Sequence, residues 1–458
     1  MNDPRSKALD YAKVHRQDFL NQLVEFIAIP SISTDPNHKS DMQRAAEWVV
    51  NQFNDLDMTD VHIYPTPGHP VIYGKLTSKN PSAMTVLVYG HYDVQPPEPL
   101  ELWKSPPFNA QVRQENLYGR GATDMKGQIL AALKAVESIL HNGKLPVNIK
   151  FLIEGEEEIG SPHLTDFIAD HKELLSSDLA LNPDSGFIMV DMPTITYALR
   201  GMAYFELRIF GPDHDLHSGT YGGVVHNPAQ VLCELIAGMH DDQGRVTLSG
   251  FYDRVRSLDE EERSELAKLP MNEAFYLDQT HAPALWGEAG YTPVERTGAR
   301  PTLEINGILS GFTDEGIKTV LPAWSMAKIS TRLVPDQDPQ EVFDQLESYL
   351  QANAPKTVRY KLTNLVHAPA SISDRHSQGV EAMSKAMESV WGKPPVFKRE
   401  GGSVPVVSQL QGILGIESVN SGFSLQEDHM HSPNEKIHLP TWYRGIDTYI
   451  NFFYNLGS

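Results

Sequence analysis

Apolar positions recur along the chain with two different periods, and together they predict alternating strands and helices. Residues 84–89 and 147–153 are nearly continuous apolar runs, which is typical of strands buried on both faces. Between them, residues 127–142 carry apolar side chains at helical spacing, and Gly143 is a natural end for that helix. Amphipathic helices are predicted in the same way over 7–27, 41–53 and 162–175. This alternation indicates an α/β fold with a mixed, mostly parallel sheet between helices.

The pattern changes after Pro193 and returns near residue 373. In between, strands are predicted over 194–210, 326–333 and 357–366, and helices over 227–240 and 339–352. Their order is typical of a ferredoxin-like α+β domain. We therefore expect an α/β domain made of residues 1–196 and 369–458, interrupted by a smaller α+β domain of residues 197–368. The polar stretch 249–300 inside the smaller domain carries no motif that we can interpret.

Composition narrows the class of protein. A chain of 458 residues with 40% hydrophobic and 21% charged residues is typical of a soluble globular protein. Its formal net charge of -21 argues against nucleic acid or an anionic membrane as partner. No segment has the apolar length of a membrane span, and no secretory signal is apparent. The single cysteine, Cys233, excludes an internal disulfide and favours a reducing, cytoplasmic location. Its apolar neighbours predict that Cys233 packs on a buried helix face and is not a nucleophile.

Carboxylates follow the second buried run at once. Glu154, Glu156, Glu157 and Glu158 end the predicted strand 147–153. Neighbouring carboxylates at the end of a buried strand repel one another and are costly to desolvate unless cations or protons neutralise them. Taken alone, a solvated acidic turn explains the run equally well.

A histidine and an aspartate follow the first buried run. One residue separates His91 from Asp93, so both side chains lie on the same side of an extended segment. His91 could bind a metal through one nitrogen while Asp93 accepts the other ring N–H. The alternative for this pair alone is an ordinary hydrogen-bonded loop histidine.

Three further stretches present similar groups. The glycine-rich turn 119–127 lacks the spacing of a phosphate-binding loop, and Asp124 within it suits a cation better than phosphate. Asp184 follows the next short strand, and a polar loop near the C-terminus carries His429 and His431. In open α/β sheets, binding sites collect beyond the carboxyl ends of strands. Four such segments with His, Asp or Glu, together with a returning histidine in the last segment of the chain, predict a metal site.

Four motifs carry a resemblance to a known family: Gly-His-Tyr-Asp-Val-Gln-Pro at 90–96, Gly-Arg-Gly-Ala-Thr-Asp at 119–124, Glu-Gly-Glu-Glu-Glu-Ile-Gly-Ser at 154–161 and His-Ser-Pro-Asn-Glu-Lys at 431–436. From about Ser31 to its end, the chain resembles the zinc exopeptidases that include carnosine dipeptidases, aminoacylase and carboxypeptidase G. The Val-Gln-Pro extension, Trp103 with Pro107-Phe108, and Arg399-Glu-Gly-Gly-Ser-Val-Pro405 are most similar to the cytosolic, non-specific dipeptidase branch.

The resemblance implies two divalent ions per subunit, with zinc as the first choice and manganese or cobalt as alternatives. Its implied ligands are His91 and Asp184 for one ion, Glu158 and His431 for the other, and Asp124 as a bridge between them. Asp93 would orient His91, and Glu157 would be the general base. Glu154 and Glu156 have no implied role and are interpreted as structural or solvated. His431 is preferred over His429, and Met125 stands where many relatives of the branch have a second aspartate.

The smaller domain is implied to be a lid that also forms a homodimer. His217 would reach the partner subunit's site and stabilise the oxyanion, with Thr319 as a weaker candidate for the same cross-subunit role. Arg332 would pair with the carboxylate at the C-terminus of the substrate, with Gly402, Ser403 and His367 as further candidate contacts. The alternatives are a capping or loop histidine for His217 and an ordinary surface ion pair for Arg332.

The activity implied by this resemblance is metal-dependent hydrolysis of dipeptides or short peptides, which are small-molecule partners. Deacylation of N-acyl amino acids on the same site is the nearer alternative. A non-catalytic metal-binding protein on the same fold is the alternative from a different class.

Overall fold

The computed structural model describes residues 3–402 and 404–457. They form two compact units. Unit 1 comprises Met1–Tyr197, Ser373–Phe397 and Pro405–Ser458, and unit 2 comprises Ala198–Ile372 and Lys398–Val404. The expected boundaries at residues 197 and 369 lie close to these divisions, but segment 398–404 groups with unit 2 and was expected in the α/β domain. No helix in the described part of the chain combines the length and hydrophobicity of a membrane span.

The helices α1–α15 span Pro4–Val14, Arg16–Ile27, Lys39–Asp55, Lys126–Asn142, Leu164–Asp170, Lys172–Leu175, Ser218–Tyr221, Pro228–Ala237, Glu260–Leu266, Glu273–Thr280, Pro293–Ala299, Pro339–Asn353, Gln378–Trp391, Pro405–Gln409 and Leu439–Leu456. The strands β1–β20 span Thr59–Tyr64, Val71–Leu76, Thr85–His91, Gln111–Arg113, Asn116–Tyr118, Asn148–Glu154, Leu179–Asn182, Gly186–Phe187, Thr194–Leu199, Gly201–Phe210, Leu216–His217, Thr302–Ser310, Val320–Leu321, Trp324–Leu333, Arg359–Ala368, Ser371–Ile372, Val396–Glu400, Glu417–Asn420, Ser424–Leu425 and Lys436–His438.

Unit 1 is organised around a mixed sheet in which seven strands follow the order β1-β2-β6-β3-β7-β18-β9. The predicted mixed α/β sheet is confirmed, with its parallel pairing confined to the central strands β6, β3, β7 and β18. The pairs toward both ends are antiparallel. Because β3, β6 and β7 run in parallel, their carboxyl ends lie at the same edge of the sheet. His91 and Glu154 are direct neighbours across β3 and β6 at that edge.

Unit 2 contains a four-stranded antiparallel sheet of order β12-β14-β10-β15. Strand β10 alternates strictly between buried and partly exposed residues, as expected for a sheet covered on one face. Its inward residues Ala203, Phe205, Leu207 and Ile209 belong to a core that also includes residues of α8 and α12. The first strand in chain order therefore lies between the third and the fourth, which is the predicted ferredoxin-like arrangement.

Two expectations about local structure are corrected, and one open alternative is decided. The helix predicted over residues 7–27 is two helices, α1 and α2, separated at His15. Cys233 is exposed, because Val231, Leu232 and Leu235 face the core and Cys233 lies on the other side of α8. Glu154 and Glu156 are 1% and 4% exposed, so the solvated alternative for them is wrong and the structural one holds.

Candidate metal centre

Two groups of three side chains in unit 1 are arranged as metal ligands. His91, Asp124 and Asp184 form the first group. Asp124, Glu158 and His431 form the second, so Asp124 is common to both. In each group, the candidate ligand atoms all lie within 4.8 Å of one another. The structure thus brings together all five ligands expected from the sequence, with Asp124 at the centre.

The histidines of the two groups differ in their contacts with the carboxylates. His91 is fully buried, and its Nε2 lies 3.2 Å from Asp124 Oδ1 without a well-aligned hydrogen bond. His431 Nε2 lies 3.0 Å from Asp124 Oδ2 and 3.2 Å from Glu158 Oε2. His429 is exposed and belongs to neither group. A buried ring nitrogen that points at a carboxylate but lacks a partner fits a site whose cation binds between them.

The shifted pKa values of the site are also consistent with the binding of a cation. Burial, and then the negative charge of Asp124, raise the pKa of Asp184 to about 7. Burial and the same charge also raise the pKa of Glu158. Hydrogen bonds to Asp124 and Glu158 raise the pKa of His431 to about 10. Without a metal, these carboxylates are therefore stabilised by bound protons or by the positive charge of His431. Bound divalent ions would take the place of that positive charge.

Glu157 lies beside the ligands and belongs to neither group. Burial raises the pKa of its carboxyl group well above the usual range; His91 opposes this rise, while Asp184 and Asp124 add to it. The backbone N–H groups of Glu157 and Glu158 donate to the Asp93 carboxylate at 3.3 and 3.1 Å. The strand end and the glutamate turn are thus held together by Asp93.

Asp93 contacts His91 in two ways. His91 Nδ1 lies 3.1 Å from the backbone oxygen of Asp93 and 3.4 Å from its Oδ1. Both atoms can accept the Nδ1 proton, which leaves Nε2 directed at Asp124. The backbone carbonyl of Asp93 lies nearer to this ring nitrogen than its carboxylate does, and the orienting role of Asp93 stays a prediction.

The loop that carries Asp124 is supported by Glu435, a residue whose role was not predicted from the sequence. Glu435 is fully buried, and its carboxylate accepts hydrogen bonds from Arg120 Nη1 at 2.7 Å and from the backbone N–H groups of Gly121, Thr123 and Asp124 at 3.0, 3.0 and 3.1 Å. Gly121 has a φ of 85°, which glycine adopts at little cost. The signal for Glu435 was its place in the His-Ser-Pro-Asn-Glu-Lys motif.

Gln95 supports the second ligand group and was also missed. Its Nε2 donates to Glu158 Oε2 at 2.8 Å and lies 3.2 Å from the Glu158 backbone oxygen. One carboxylate oxygen of Glu158 is therefore fixed by an amide next to His431. The signal for Gln95 was its position in the Val-Gln-Pro extension of the first motif.

Two of the remaining expected residues lie together in unit 2. His217 pairs with Val320 across β11 and β13, and the next residue, Ser218, donates its N–H to Thr319 O at 3.0 Å. His217 is exposed, and its Nδ1 accepts from Gly219 N at 3.0 Å as a helix cap.

The carboxylate-binding candidates are only partly brought together. Arg332 is in register with Met202, and His367 is in register with Ala203. Because side chains alternate along a strand, Arg332 and His367 lie on opposite faces of the sheet. Gly402 is exposed after β17, and Ser403 lies outside the described residues.

Comparison with known proteins identifies the family. The model of peptidase family M20/M25/M40 matches residues 87–455. This chain belongs to that family. The Cys-Gly metallodipeptidase of Candida albicans is 30% identical to this M20/M25/M40 peptidase over 479 residues, covering 99% of this chain and 98% of the relative. The human Beta-Ala-His dipeptidase is 31% identical over 475 residues, covering 99% and 92%.

A solved structure extends the likeness to the fold. The M20 metallo-carboxypeptidase Sso-CP2 from Sulfolobus solfataricus has a TM-score of 0.85 and 32% identity, covering 96% of this M20/M25/M40 peptidase and 99% of that chain. The predicted resemblance, the fold class and the metallopeptidase class are therefore confirmed. Divalent metal ions are the cofactors of this family, and the two ligand groups are the chain's candidates for binding them.

Proposed function

We propose that the chain hydrolyses the peptide bond of dipeptides or short peptides at a site for two divalent ions. The observation that carries this proposal is the pair of ligand groups that share Asp124. A Cys-Gly metallodipeptidase and a Beta-Ala-His dipeptidase match nearly the whole chain at about 30% identity, which supports a dipeptide substrate. When bound, the ions would polarise the scissile carbonyl and lower the pKa of a water molecule.

The protein's part in the chemistry centres on Glu157. A general base must accept a proton from the attacking water and return it to the departing amine, so its pKa has to lie nearer neutrality than that of an ordinary carboxyl. Burial and the neighbouring carboxylates provide that shift for Glu157. Asp93 restrains the Glu157 backbone and the His91 ring, and Gln95 restrains Glu158.

Unit 2 supplies the residues proposed to recognise the substrate. Arg332 would bind the C-terminal carboxylate, with Gly402, Ser403 and His367 as further contacts. His217, with Thr319, would act on the oxyanion in the site of the partner subunit of a homodimer. In unit 2, Val224 is 81% exposed, Ile308 55% and Ile317 94%, and a homodimer contact that covered these side chains would bury apolar surface.

Zinc is the first candidate for both ions, with manganese or cobalt next, because imidazole and carboxylate ligands without thiolate admit all three. The reducing, cytoplasmic location inferred from the single cysteine stays a prediction. Deacylation of N-acyl amino acids remains the second candidate function, because it would use the same ligands and the same base. A non-catalytic role is less consistent with a complete ligand set and a base.

Replacement of the base tests the mechanism. Glu157→Gln removes the proton acceptor and leaves the five ligands in place, so turnover of alanyl-alanine should fall by at least about a hundredfold with unchanged metal content. Glu173→Gln, an exposed glutamate on α6, is the matched control. Near-normal turnover in Glu157→Gln would refute the base assignment. A strong preference of the wild type for N-acetyl amino acids would select the deacylase.

A further inference from the structure

Asp184, a candidate ligand in the first metal group, follows a buried asparagine at the end of strand β7. The Asn182 side chain is fully buried, and its Oδ1 accepts a hydrogen bond from the Asp184 backbone N–H at 3.1 Å. Such a contact between an asparagine side chain and the backbone two residues later closes a tight turn. Pro183 has a restricted φ and favours extended backbone at Asn182. The direction in which Asp184 leaves the strand therefore depends on the Asn182 amide.

The Asn182 amide is itself fixed by a second buried asparagine. Asn420 is the parallel-strand partner of Asn182 across β7 and β18, so the two side chains lie next to each other on one face of the sheet. Asn182 Nδ2 donates to Asn420 Oδ1 at 3.3 Å, and Asn420 Nδ2 donates to Thr196 O on β9 at 3.1 Å. Three hydrogen bonds in series thus connect the Thr196 carbonyl to the backbone of Asp184.

The two ends of this series determine the orientation of both amides. An amide side chain has an accepting oxygen and a donating NH₂ group, and rotation by half a turn exchanges them. The Asp184 N–H can only donate, so it requires the Asn182 oxygen. The Thr196 carbonyl can only accept, so it requires the Asn420 NH₂ group. The Asn182 NH₂ group then faces the Asn420 oxygen, and this is the one combination that satisfies all three contacts.

The backbone after β18 packs closely on the same turn. A Cβ atom on Gly422 would lie 1.9 Å from Pro183 O and 2.2 Å from Ser185 O. These carbonyls belong to the residues on either side of Asp184, so only glycine allows this approach. The segment that follows the second asparagine therefore restrains the turn that the asparagine pair holds.

We propose that Asn182 and Asn420 are positioning residues that orient Asp184 toward the ion that it would share with His91. The inference rests on the two-ion site of the proposed function, but not on cleavage of dipeptides. Hydrogen-bond partners outside the ligand set fix the direction of a ligating group, and their loss typically lowers metal affinity about 10–100-fold. The second ligand group does not include Asp184, so the affinity of its ion should depend little on the asparagines.

Titration of the metal-free protein with Zn²⁺, in the presence of a competing chelator, measures the affinity of each ion. Asn182→Leu is similar in size but has no amide, so one ion should bind at least about tenfold more weakly while the other keeps its affinity. Asn420→Ala leaves the Asn182 turn and removes its support, so the same ion should weaken about threefold, the order of one neutral hydrogen bond. Asn451→Leu is the matched control and should change neither affinity, because Asn451 is 5% exposed and donates to Asp447 O within α15.

A double variant identifies the affected ion. Gln95→Leu removes the donor to Glu158 and should weaken the ion of the second ligand group. If the asparagines act through Asp184, Asn182→Leu combined with Gln95→Leu will weaken both ions. Where circular dichroism shows that Asn182→Leu does not fold, Asn420→Ala with Gln95→Leu makes the same comparison.

Four results would overturn the proposal. These are one ion that keeps wild-type affinity in the double variant, equal weakening of both ions in Asn182→Leu alone, unchanged affinities in Asn182→Leu, and a wild type that binds no ion. Dipeptide cleavage is assayed separately. A wild type that binds two ions and cleaves no dipeptide would refute the proposed function, and a selective loss of one ion in Asn182→Leu would still support the positioning role.

Discussion

Glu435→Gln should destabilise unit 1 strongly, although Glu435 is not a proposed metal ligand. Its carboxylate accepts four hydrogen bonds, one from Arg120 and three from the backbone of the Asp124 loop. A glutamine keeps one accepting oxygen, but its NH₂ group faces two donors and its neutral amide leaves the Arg120 charge unpaired. Arg120 is 1% exposed, so water cannot replace the lost partner.

Glu435→Gln removes one partner of a buried ion pair, which typically lowers the free energy of unfolding by about 3–5 kcal/mol. Burial raises the pKa of Glu435 to about 7, and Arg120 opposes that rise. The measurement therefore belongs at pH 8, where the carboxyl group is ionised. Replacing both residues, as in Arg120→Met with Glu435→Leu, should not restore stability, because three buried backbone N–H groups would then lack acceptors.

Urea unfolding of the metal-free protein measures this loss without a contribution from metal binding. Buried Trp442 donates to Gly127 O at 2.7 Å at the start of α4 and makes tryptophan fluorescence sensitive to this region. Glu427→Gln is the control, since Glu427 is 69% exposed and its carboxylate forms an ion pair with the Lys436 ammonium at the surface. If Glu435→Gln lowered the free energy of unfolding by less than about 1 kcal/mol, the proposed role of the four hydrogen bonds to Glu435 would be refuted.

Two further predictions concern residues near the ligands. Gln95→Leu removes the donor to Glu158 Oε2, so affinity for the ion bound by Glu158 and His431 should fall about 10–100-fold by metal titration; unchanged affinity would contradict the contact. Burial raises the pKa of Glu154 to about 8, so the folded state keeps a proton that the unfolded state loses above its normal pKa. The stabilisation from Glu154 is therefore full at low pH and is lost as pH rises toward 8. Glu154→Gln should reduce this decline in unfolding free energies measured at pH 5 and pH 8, and an unchanged decline would rule out Glu154 as its source.

Local patterns predicted part of the candidate site because His91 and the glutamate turn each lie next to a strong signal. The continuous apolar run before His91 marks a strand with both faces buried, and the strand before Glu157 ends in charge that needs compensation. Both signals are contained within a few residues. The parallel pairing of these strands then places their ends at one edge of the sheet.

Other features depend on contacts that no local pattern contains. Glu435 meets the Asp124 loop across more than 300 residues, and only the folded chain shows that its carboxylate caps three backbone N–H groups. Periodicity continues through His15, so it could not show that one helix would be two. Cys233 differs by only one or two positions from residues that face the core, and hydrophobicity alone did not reveal the phase of the helix.

Hydrolysis of a small dipeptide panel by chelator-stripped protein, with Zn²⁺, Mn²⁺ or Co²⁺ added back, tests the central claim most directly. The two ligand groups around Asp124 predict that stripping abolishes activity and that at least one ion restores it at two ions per chain. Dipeptide cleavage that persists without metal, or a protein that binds none of these ions, would contradict the account.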